Sequence, residues 1–274
     1  MVGSFPKIVI AAADGARAEV YAHGAHVTSW IPAGDTERLF LSSRSDFAPG
    51  RAIRGGVPVI FPQFATEGPL PKHGFARTTA WDLVSSSPEG ADVAEARFRL
   101  ASSPATQTIW PHAFTAELNV AAQGRLLELT LSVTNTGSTP FTFTCALHTY
   151  LRVDDARAAH IGGLRGHTYR DATAGGVHRA EESDDVAIIG EVNRIYFNVS
   201  SPLTVQEPHR ITTIDMQGFT DVVVWNPGPA GAALSDMEPN GHLHMLCVEA
   251  AAIGTPITLQ PSDRWSGSQR LLAR

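Results

Sequence analysis

Hydrophobic and polar residues alternate along much of this chain, which is the spacing of β-strands and not of helices. The clearest segment is residues 126–135, where Leu127, Leu129, Leu131 and Val133 are separated by polar residues. Successive side chains of a strand point to opposite faces of a sheet, so this segment has one buried face and one wet face. The pattern therefore predicts a strand of an antiparallel sheet.

Residues 141–150 repeat this alternation and add a histidine to the polar face. Phe141 and Phe143 point to one side, whereas Thr144 and His148 point to the other. The face that carries His148 lines either bulk solvent or a wet concavity within the protein. A structural histidine and a functional one both fit this position.

The rest of the chain shows the same organisation in shorter segments. No sequence repeat and no long amphipathic helix is indicated, and residues 152–185 lack a clear period and are predicted to be irregular. We predict one all-β domain over residues 1–274, a sandwich of two large antiparallel sheets. Its further strands are predicted at residues 7–12, 16–21, 24–31, 37–41, 81–84, 94–100, 115–121, 194–198, 203–206, 212–216, 221–225, 244–250 and 257–259.

Composition narrows the class of protein and of partner. The 274 residues are 43% hydrophobic and 18% charged, which is typical of a globular protein with a sizeable core. The formal net charge of −6 disfavours a nucleic-acid partner, because phosphate backbones bind basic surfaces. The N-terminal pattern is not that of a signal peptide, and no apolar run is long enough to cross a membrane. We expect a cytoplasmic protein in which Cys145 and Cys247 are buried thiols.

Positive charge is concentrated in one segment of this acidic chain, residues 51–81. The segment carries Arg54, Lys72, His73 and Arg77 among prolines and glycines, including a Gly-Gly pair. Glycine permits a positive φ angle or a close approach of the backbone to a ligand. Cations on a stiffened loop suit an anionic ligand, although solvated surface cations are the alternative.

Two carboxylates lie in apolar surroundings that predict strands. Glu249 ends the run MLCVE, and Asp221 precedes the run VVVWNP. A buried, unpaired carboxylate has a raised pKa, which suits a general base near neutral pH. For Glu249 the alternative is a structural ion pair with an arginine.

A metal centre is a competing use of the histidines. His242 and His244, followed by Glu249, approximate the two-histidine, one-glutamate spacing of cupins. Both histidines would share one face of a strand, but Glu249 stands at an odd offset and faces the other way unless a bulge intervenes. We therefore predict that the protein has no metal site. No nucleotide-binding glycine motif is present either.

Several sequence motifs are distributed over nearly the whole chain. They are AIRGGVPVIFPQF, LPKHGFARTTAW, ALHTYLRV, DVVVWNPG and CVEAA, with GAHVTSW and GLRGHTYRD as further matches. In this order and spacing they resemble the aldose 1-epimerase superfamily, and most of all its hexose-6-phosphate branch, the glucose-6-phosphate 1-epimerases. The resemblance implies a β-supersandwich of the galactose mutarotase-like kind and an enzyme that interconverts sugar anomers without a cofactor.

The resemblance also implies roles for the catalytic pair. Glu249 would act as the general base that takes the proton from the anomeric hydroxyl. His148, protonated and with a pKa near its ordinary value, would act as the general acid towards the ring oxygen as the C1–O5 bond breaks. The open-chain aldehyde then rotates about C1–C2 and closes on its other face.

The other positions that match the family are expected to bind substrate. His73 and Asp221 match positions that hydrogen-bond sugar hydroxyls or the ring oxygen. Arg54, Lys72 and Arg77 match contacts to phosphate and sugar. The chain departs from the family at Asn193, where an aspartate is typical, so a charge is missing from the sugar-binding rim.

The sequence therefore predicts a monomeric glucose-6-phosphate 1-epimerase whose partner is a small-molecule sugar phosphate, with no nucleic-acid or membrane partner. Two alternatives keep the fold: a non-catalytic sugar-binding or regulatory module, and an epimerase of unphosphorylated aldoses. A metal-dependent, cupin-like enzyme is the third.

Overall fold

The computed structural model describes residues 5–274, and this part of the chain is built almost entirely of β-strands. Its only α-helix, α1, is the short segment Pro104–Ile109, and 3₁₀ turns span Ala76–Thr78, Ala156–Ala158, Ala172–Ala174, Gly228–Ala233 and Gly241–Leu243. The strands are β1 Lys7–Ala11, β2 Arg17–Tyr21, β3 His26–Ile31, β4 Val59–Ile60, β5 Asp82–Ser86, β6 Ala94–Ala101, β7 Phe114–Gln123, β8 Leu126–Asn135, β9 Phe141–Leu147, β10 Tyr150–Arg152, β11 His160–Gly162, β12 Thr168–Asp171, β13 Val177–Ala180, β14 Asp185–Ala187, β15 Val192–Tyr196, β16 Leu203–Gln206, β17 Ile211–Gln217, β18 Asp221–Asn226, β19 Met245–Leu259 and β20 Arg264–Ala273.

Two large sheets and one small sheet make up the fold. The nine-stranded sheet has the order β14-β11-β16-β17-β20-β8-β7-β6-β5, and the eight-stranded sheet has the order β13-β12-β15-β18-β19-β9-β4, with β10 also paired to β19. A single buried cluster contains Leu129 and Ile214 of the first sheet and Phe143 and Val248 of the second. The all-β sandwich predicted from the alternating pattern is confirmed. A three-stranded sheet, β1-β2-β3, adds to it.

The prediction of a strand at residues 37–41 is wrong. This segment forms only isolated bridges, at Leu39 and Leu41, within the described residues. The Glu37 carboxylate accepts the backbone N–H groups of Trp30, Arg38 and Leu39. These local bonds replace a strand ladder, because a side chain already satisfies the backbone donors.

The prediction that residues 152–185 are irregular is also wrong. The segment contains β11, β12 and β13 and the first residue of β14. Each of these strands has only three or four residues. Such a strand has too few positions to display a period of two, so its hydrophobic pattern carries little signal.

The strand predicted over residues 141–150 is interrupted where the candidate catalytic histidine lies. β9 ends at Leu147 and β10 begins at Tyr150. At the break, the backbone N–H of His148 donates to the carbonyl of Pro58 at 3.0 Å. The rings of His148 and Tyr150 stack with centroids 4.8 Å apart. The break therefore fixes the imidazole against a second ring.

The Gly-Gly pair serves backbone packing and not a ligand. Gly55 and Gly56 both have positive φ, of 113° and 60°. A Cβ at Gly56 would lie 2.1 Å from the carbonyl oxygen of Val27 in β3. Only glycine fits here, because the left-handed conformation and the close approach both exclude a side chain.

We expect Gly56→Ala to lower the free energy of unfolding by about 3 kcal/mol, the sum of a left-handed alanine and a backbone clash. Gly34→Ala is the matched control, since Gly34 has a φ of 67° but a Cβ added there would meet no atom within 4 Å. It should cost only about 1 kcal/mol. Urea unfolding of both variants measures the difference, and equal losses would contradict the clash.

No helix among residues 5–274 is long and apolar enough to cross a membrane.

Candidate active site

The order of strands in the eight-stranded sheet brings the two candidate catalytic residues together. β19 lies between β18 and β9, and it also pairs with β10. In this register Glu249 stands opposite Val223 of β18, while its neighbour Ala250 stands opposite Leu147, the last residue of β9. His148 follows directly on Leu147, so its side chain emerges beside Glu249.

The predicted pair is in direct contact. Nε2 of His148 lies 3.3 Å from Oε1 of Glu249, and the two side chains are 9% and 1% exposed. Nδ1 of His148 and Oε2 of Glu249 are buried and have no hydrogen-bond partner in the part of the chain that is described. Unpaired polar atoms are costly to bury, so these two atoms are available to a ligand.

Burial shifts both groups towards their neutral forms. Desolvation raises the pKa of Glu249 well above its ordinary value, opposed by the positive charge of Arg77. Desolvation also lowers the pKa of His148 well below its ordinary value, and His73, Arg77 and Arg54 lower it further. The raised pKa of Glu249 agrees with the expectation from the sequence. A histidine pKa near the ordinary value does not, because burial and nearby cations both disfavour the imidazolium.

Both shifts favour the state in which the one proton of the pair resides on Glu249 and the imidazole of His148 is neutral. The arrangement inferred from the sequence, a carboxylate beside an imidazolium, also contains one proton. The two states differ only by a proton shift between Glu249 and His148, across a contact of 3.3 Å.

A cavity of about 300 Å³ opens on this pair. Its volume is at the lower end of the range for small-molecule sites. It contains every predicted site residue except Asp221. The lining residues are Arg54, Phe64, Ala65, Lys72, His73, Arg77, His148, Asn193, Val223, Trp225 and Glu249.

Arg54 is held rigidly at this cavity. Its Nε and Nη2 donate to the two carboxylate oxygens of Asp236, at 3.2 and 3.1 Å. Its Nη1 donates to the hydroxyl of Tyr150 at 3.0 Å, and its guanidinium lies 5.9 Å from the ring centroid of Trp225. The carboxylate and the hydroxyl together hold the guanidinium in one orientation.

The other two cations have no carboxylate partner among the described residues. Arg77 donates from Nη2 to the backbone carbonyl of Lys72 at 3.3 Å. The Nε of Arg77 is buried without a hydrogen-bond partner in the described part of the chain. Burial, the largest cause, lowers the pKa of Arg77. An anion in the cavity would give this guanidinium the negative partner and the hydrogen-bond acceptor that it lacks.

His73 is neutral and its tautomer is fixed. Burial and the neighbouring cations Arg77, Lys72 and Arg54 lower its pKa to about 3. Its Nδ1 accepts the backbone N–H of Ala65 at 3.2 Å, so the ring proton resides on Nε2. His73 therefore offers one N–H donor, as the sequence led us to expect of a residue that contacts sugar oxygens.

Asp221 lies outside the cavity that contains the other predicted residues. Its carboxylate accepts the backbone N–H groups of Ile253 and Gly254, at 2.8 and 2.7 Å, and the residue is only 2% exposed. The register of β19 shifts between Ala252 and Ile257, and Asp221 accepts from two N–H groups inside that shift. It lines a different cavity, together with Phe197 and other residues. The sugar contact that the family resemblance implies for Asp221 stays a prediction.

Sequence reasoning missed three residues that shape the site. Trp225 lies edge-on to His148 at 5.9 Å, and the period of two in β18 places it on the face of Val223. Tyr150 connects Arg54 to the imidazole. Asp236 lies outside the strands, where no period gives a signal.

The cupin-like metal geometry is not formed. His242 belongs to the turn Gly241–Leu243, and His244 follows that turn, so the two do not share a strand face. His244 uses Nδ1 to bond the carbonyl of Asp154 at 2.9 Å.

Within residues 5–274, one trio places ligand-type atoms within 4.8 Å of one another, namely His148, Cys247 and Glu249. Burial raises the pKa of the Cys247 thiol, which disfavours the thiolate that binds metal. Arg54 and Arg77 line the adjoining cavity and repel a divalent cation. The charge around the trio therefore favours an anionic ligand.

We expect Glu249→Gln to be more stable than the wild type, and increasingly so as pH rises. The folded carboxyl binds its proton more tightly than the unfolded one, whose pKa is near 4.5. Wild-type stability is therefore full below that value and is lost as pH rises towards the folded pKa. Glutamine does not titrate, so the difference in Tm should grow as the pH rises from about 5 towards the folded pKa, by about 3 °C per unit of raised pKa.

Thermal unfolding of both proteins over this range measures the effect. The contribution of His148 to stability depends on pH in the opposite direction. Its pKa is lowered by folding, so it costs stability as the pH falls below the ordinary value of 6.5. Because His148 contacts Glu249, the same comparison is also made in a His148→Asn background, where this contribution is absent from both proteins. A difference in Tm that is independent of pH would contradict the raised pKa of Glu249.

Comparison with known proteins gives a consistent result over almost the full length. The family model described as aldose 1-epimerase matches residues 6–272. A Cenchrus ciliaris protein whose name proposes a glucose-6-phosphate 1-epimerase is 37% identical over 97% of this chain and 84% of its own. An Escherichia coli protein with the same proposed name is 37% identical over 83% of this chain and 77% of its own.

A solved structure agrees with the fold. The crystal structure of a proposed mutarotase from Salmonella typhimurium has a TM-score of 0.89 and 29% identity, covering 97% of this chain and 90% of that one. The likeness confirms the β-supersandwich that the sequence motifs implied.

Proposed function

This chain belongs to the aldose 1-epimerase family, and we propose that it interconverts the α and β anomers of glucose 6-phosphate. The observation that carries the proposal is the contact of 3.3 Å between His148 and Glu249, at a cavity that also contains Arg54, Lys72 and Arg77. An acid and a base at fixed separation fit ring opening, and cations beside them fit a phosphate group.

The chemistry starts from the single proton that the pair holds. Its shift from Glu249 to His148 gives a carboxylate and an imidazolium without exchange with solvent. Glu249 then takes the proton of the anomeric hydroxyl, and His148 gives its proton to the ring oxygen as the C1–O5 bond breaks. The pair is left as protonated Glu249 and neutral His148. Rotation about C1–C2 and the reverse transfers close the ring on the other face.

Arg54 is oriented by its hydrogen bonds and keeps N–H donors for the phosphate group. A guanidinium has five N–H donors, and Asp236 and Tyr150 occupy the Nε hydrogen and one hydrogen on each Nη. One hydrogen on each Nη remains to donate to phosphate oxygens. Arg77, and Lys72 as a mobile point charge, complete the anion site.

The sugar ring is expected to contact His73, through its Nε2–H, and Asn193. Asn193 stands opposite Trp225 in the register of β15 with β18 and lines the cavity. An amide both donates and accepts hydrogen bonds, so it can bind a hydroxyl without the negative charge of an aspartate.

Two alternative functions would not need certain features of this site. A non-catalytic binding module does not need a buried acid–base pair with an unpaired atom on each partner. An epimerase of unphosphorylated aldoses does not need three cations at the cavity. A single domain over residues 1–274, a monomeric state, a cytoplasmic location and the absence of a cofactor stay predictions of the proposal.

Polarimetry of freshly dissolved α-anomers tests the function. We expect the protein to accelerate the anomerisation of glucose 6-phosphate at concentrations where free glucose and galactose respond weakly. A preference for the free sugars would overturn the assignment of a sugar phosphate. Binding without acceleration of any of the three sugars would identify the non-catalytic module.

A further inference from the structure

We propose that the cations of the cavity form an activator site for a free dianion: a phosphite-type dianion bound there accelerates ring opening of a sugar that lacks a phosphate group. The proposal rests on the proposed function, because it assigns Arg54, Lys72 and Arg77 to the phosphate group of the substrate. It adds that this group takes part in rate acceleration as well as in binding.

The charges around the cavity match a dianion. Three cations line it, namely Arg54, Lys72 and Arg77, and of these only Arg54 is paired with a carboxylate, that of Asp236, among the described residues. Three positive charges and one negative charge leave two positive charges uncompensated. Glu249 adds no negative charge while its carboxyl is protonated. A dianion neutralises the cavity, whereas a monoanion leaves one positive charge in it.

Arg54 is physically connected to the catalytic acid. Its Nη1 donates to the hydroxyl of Tyr150 at 3.0 Å, and the ring of Tyr150 stacks on that of His148 with an interplanar angle of 8°. His73, which neighbours Lys72 in the chain, lies on another side, with its ring 5.7 Å from His148. The half-buried Arg54 and Arg77 therefore lie in the same small cavity as the buried imidazole, where charges interact more strongly than in bulk water.

The uncompensated charge opposes the catalytic state of the pair. The acid form of His148 is an imidazolium, and the positive charges of Arg77 and Arg54 disfavour it. Arg77 also favours the Glu249 carboxylate, whereas Arg54 acts on His148 alone of the two. A bound dianion that cancels both charges therefore favours the imidazolium more than it disfavours the carboxylate, and the proton of Glu249 can move to His148. The charged or titratable groups that face the imidazole are Arg54, His73, Arg77, Tyr150, Cys247 and Glu249.

The proton count is the same with and without the dianion. Before binding, Glu249 is the favoured site of the one proton, and binding transfers a larger share of the same proton to His148. The dianion enters and leaves unchanged, and no bond to it forms. Its effect on the rate comes from a larger fraction of molecules in the reactive protonation state.

The test divides the substrate into two pieces. D-Xylose is the pentose that lacks C6 and the phosphate of glucose 6-phosphate, and phosphite dianion replaces the missing phosphate. We measure enzyme-catalysed anomerisation of α-D-xylose by NMR at increasing phosphite, at constant ionic strength and with an enzyme-free blank subtracted. We expect a saturable rise in rate of about tenfold for each pKa unit restored to His148. Formate, a monoanion, should give much less.

Two variants locate the effect. Arg77→Ala should lose the response to phosphite. Arg165→Ala is the matched control, because Arg165 is an exposed arginine paired with Asp184 and lies outside the residues that line the cavity. It should keep the full response.

The outcomes separate this inference from the proposed function. If the enzyme turns over glucose 6-phosphate but phosphite leaves the xylose rate unchanged, the activator site is overturned and the function stands. An equal response to formate, or an equal response in Arg77→Ala, also overturns it. Failure to turn over glucose 6-phosphate overturns the function and the activator site together.

Discussion

Replacing Glu249 with glutamine should lower kcat for glucose 6-phosphate by about 10²- to 10⁴-fold, the contribution of one positioned general acid–base group. Glutamine keeps the size of the side chain and a hydrogen-bonding oxygen, but it cannot take the proton of the anomeric hydroxyl. KM should change little, because the variant leaves Arg54 and the other cations in place. Steady-state polarimetry at several substrate concentrations measures both constants.

Glu207→Gln is the matched control for this variant. Glu207 is also a buried glutamate, 8% exposed, but it pairs with Arg210 and does not line the cavity. Its variant should keep kcat even where it loses stability. If both variants lower kcat equally, the loss reflects a disturbed fold and not a missing base. Glu249→Gln should instead be both inactive and more stable, since a desolvated carboxyl is removed.

Replacing Arg54 with alanine should raise KM for glucose 6-phosphate by about 10- to 100-fold, which corresponds to hydrogen bonds of a charged group. KM for free glucose should change by much less, since the guanidinium is assigned to the phosphate. Each constant is measured by polarimetry with the respective α-anomer. The comparison of the two sugars removes effects of the substitution on the shape of the cavity.

Arg51→Ala provides the control for Arg54→Ala within the same basic segment. Arg51 is exposed and pairs with Asp46, and it does not line the catalytic cavity. We expect this variant to leave KM for the sugar phosphate unchanged. Equal rises in KM for glucose 6-phosphate and glucose in Arg54→Ala would contradict the role of Arg54 in phosphate binding.

Much of the fold was accessible from the sequence, because long strands repeat their pattern often enough to be recognised. β8 has the predicted bounds, and its leucines are buried on one face. Glu37 shows where this reasoning ends: one side chain accepts several backbone N–H groups and replaces a ladder that the hydrophobic pattern predicted. The pattern of hydrophobic positions gives no information on this competition between side-chain and strand-ladder hydrogen bonds.

The site was predicted in part, for a similar reason. His148 and Glu249 lie far apart in the chain, and only the family motifs linked them before the strand order showed them in contact. Asp221 lies at the start of β18, as expected, and two N–H groups at a shift of register in the neighbouring strand donate to its carboxylate. Its burial was foreseeable, whereas its partners depend on tertiary structure.

The protonation of the pair also depends on tertiary structure. A buried carboxylate was expected to have a raised pKa, and the structure agrees. The lowered pKa of His148 depends on the convergence of Arg54, His73 and Arg77 around one ring. All three belong to the basic segment of residues 51–81, but their approach to His148 appears only when the chain is folded.

Exchange spectroscopy on the C1 protons of glucose 6-phosphate at anomeric equilibrium tests the proposed anomerisation most directly. It observes the interconversion itself, with no coupled enzyme and no net change in the solution. We predict exchange between the α and β signals that rises in proportion to wild-type protein and disappears in His148→Asn and in Glu249→Gln. Exchange that persists undiminished in both variants, or that never rises above the enzyme-free rate with wild-type protein, would contradict acid–base catalysis by this pair.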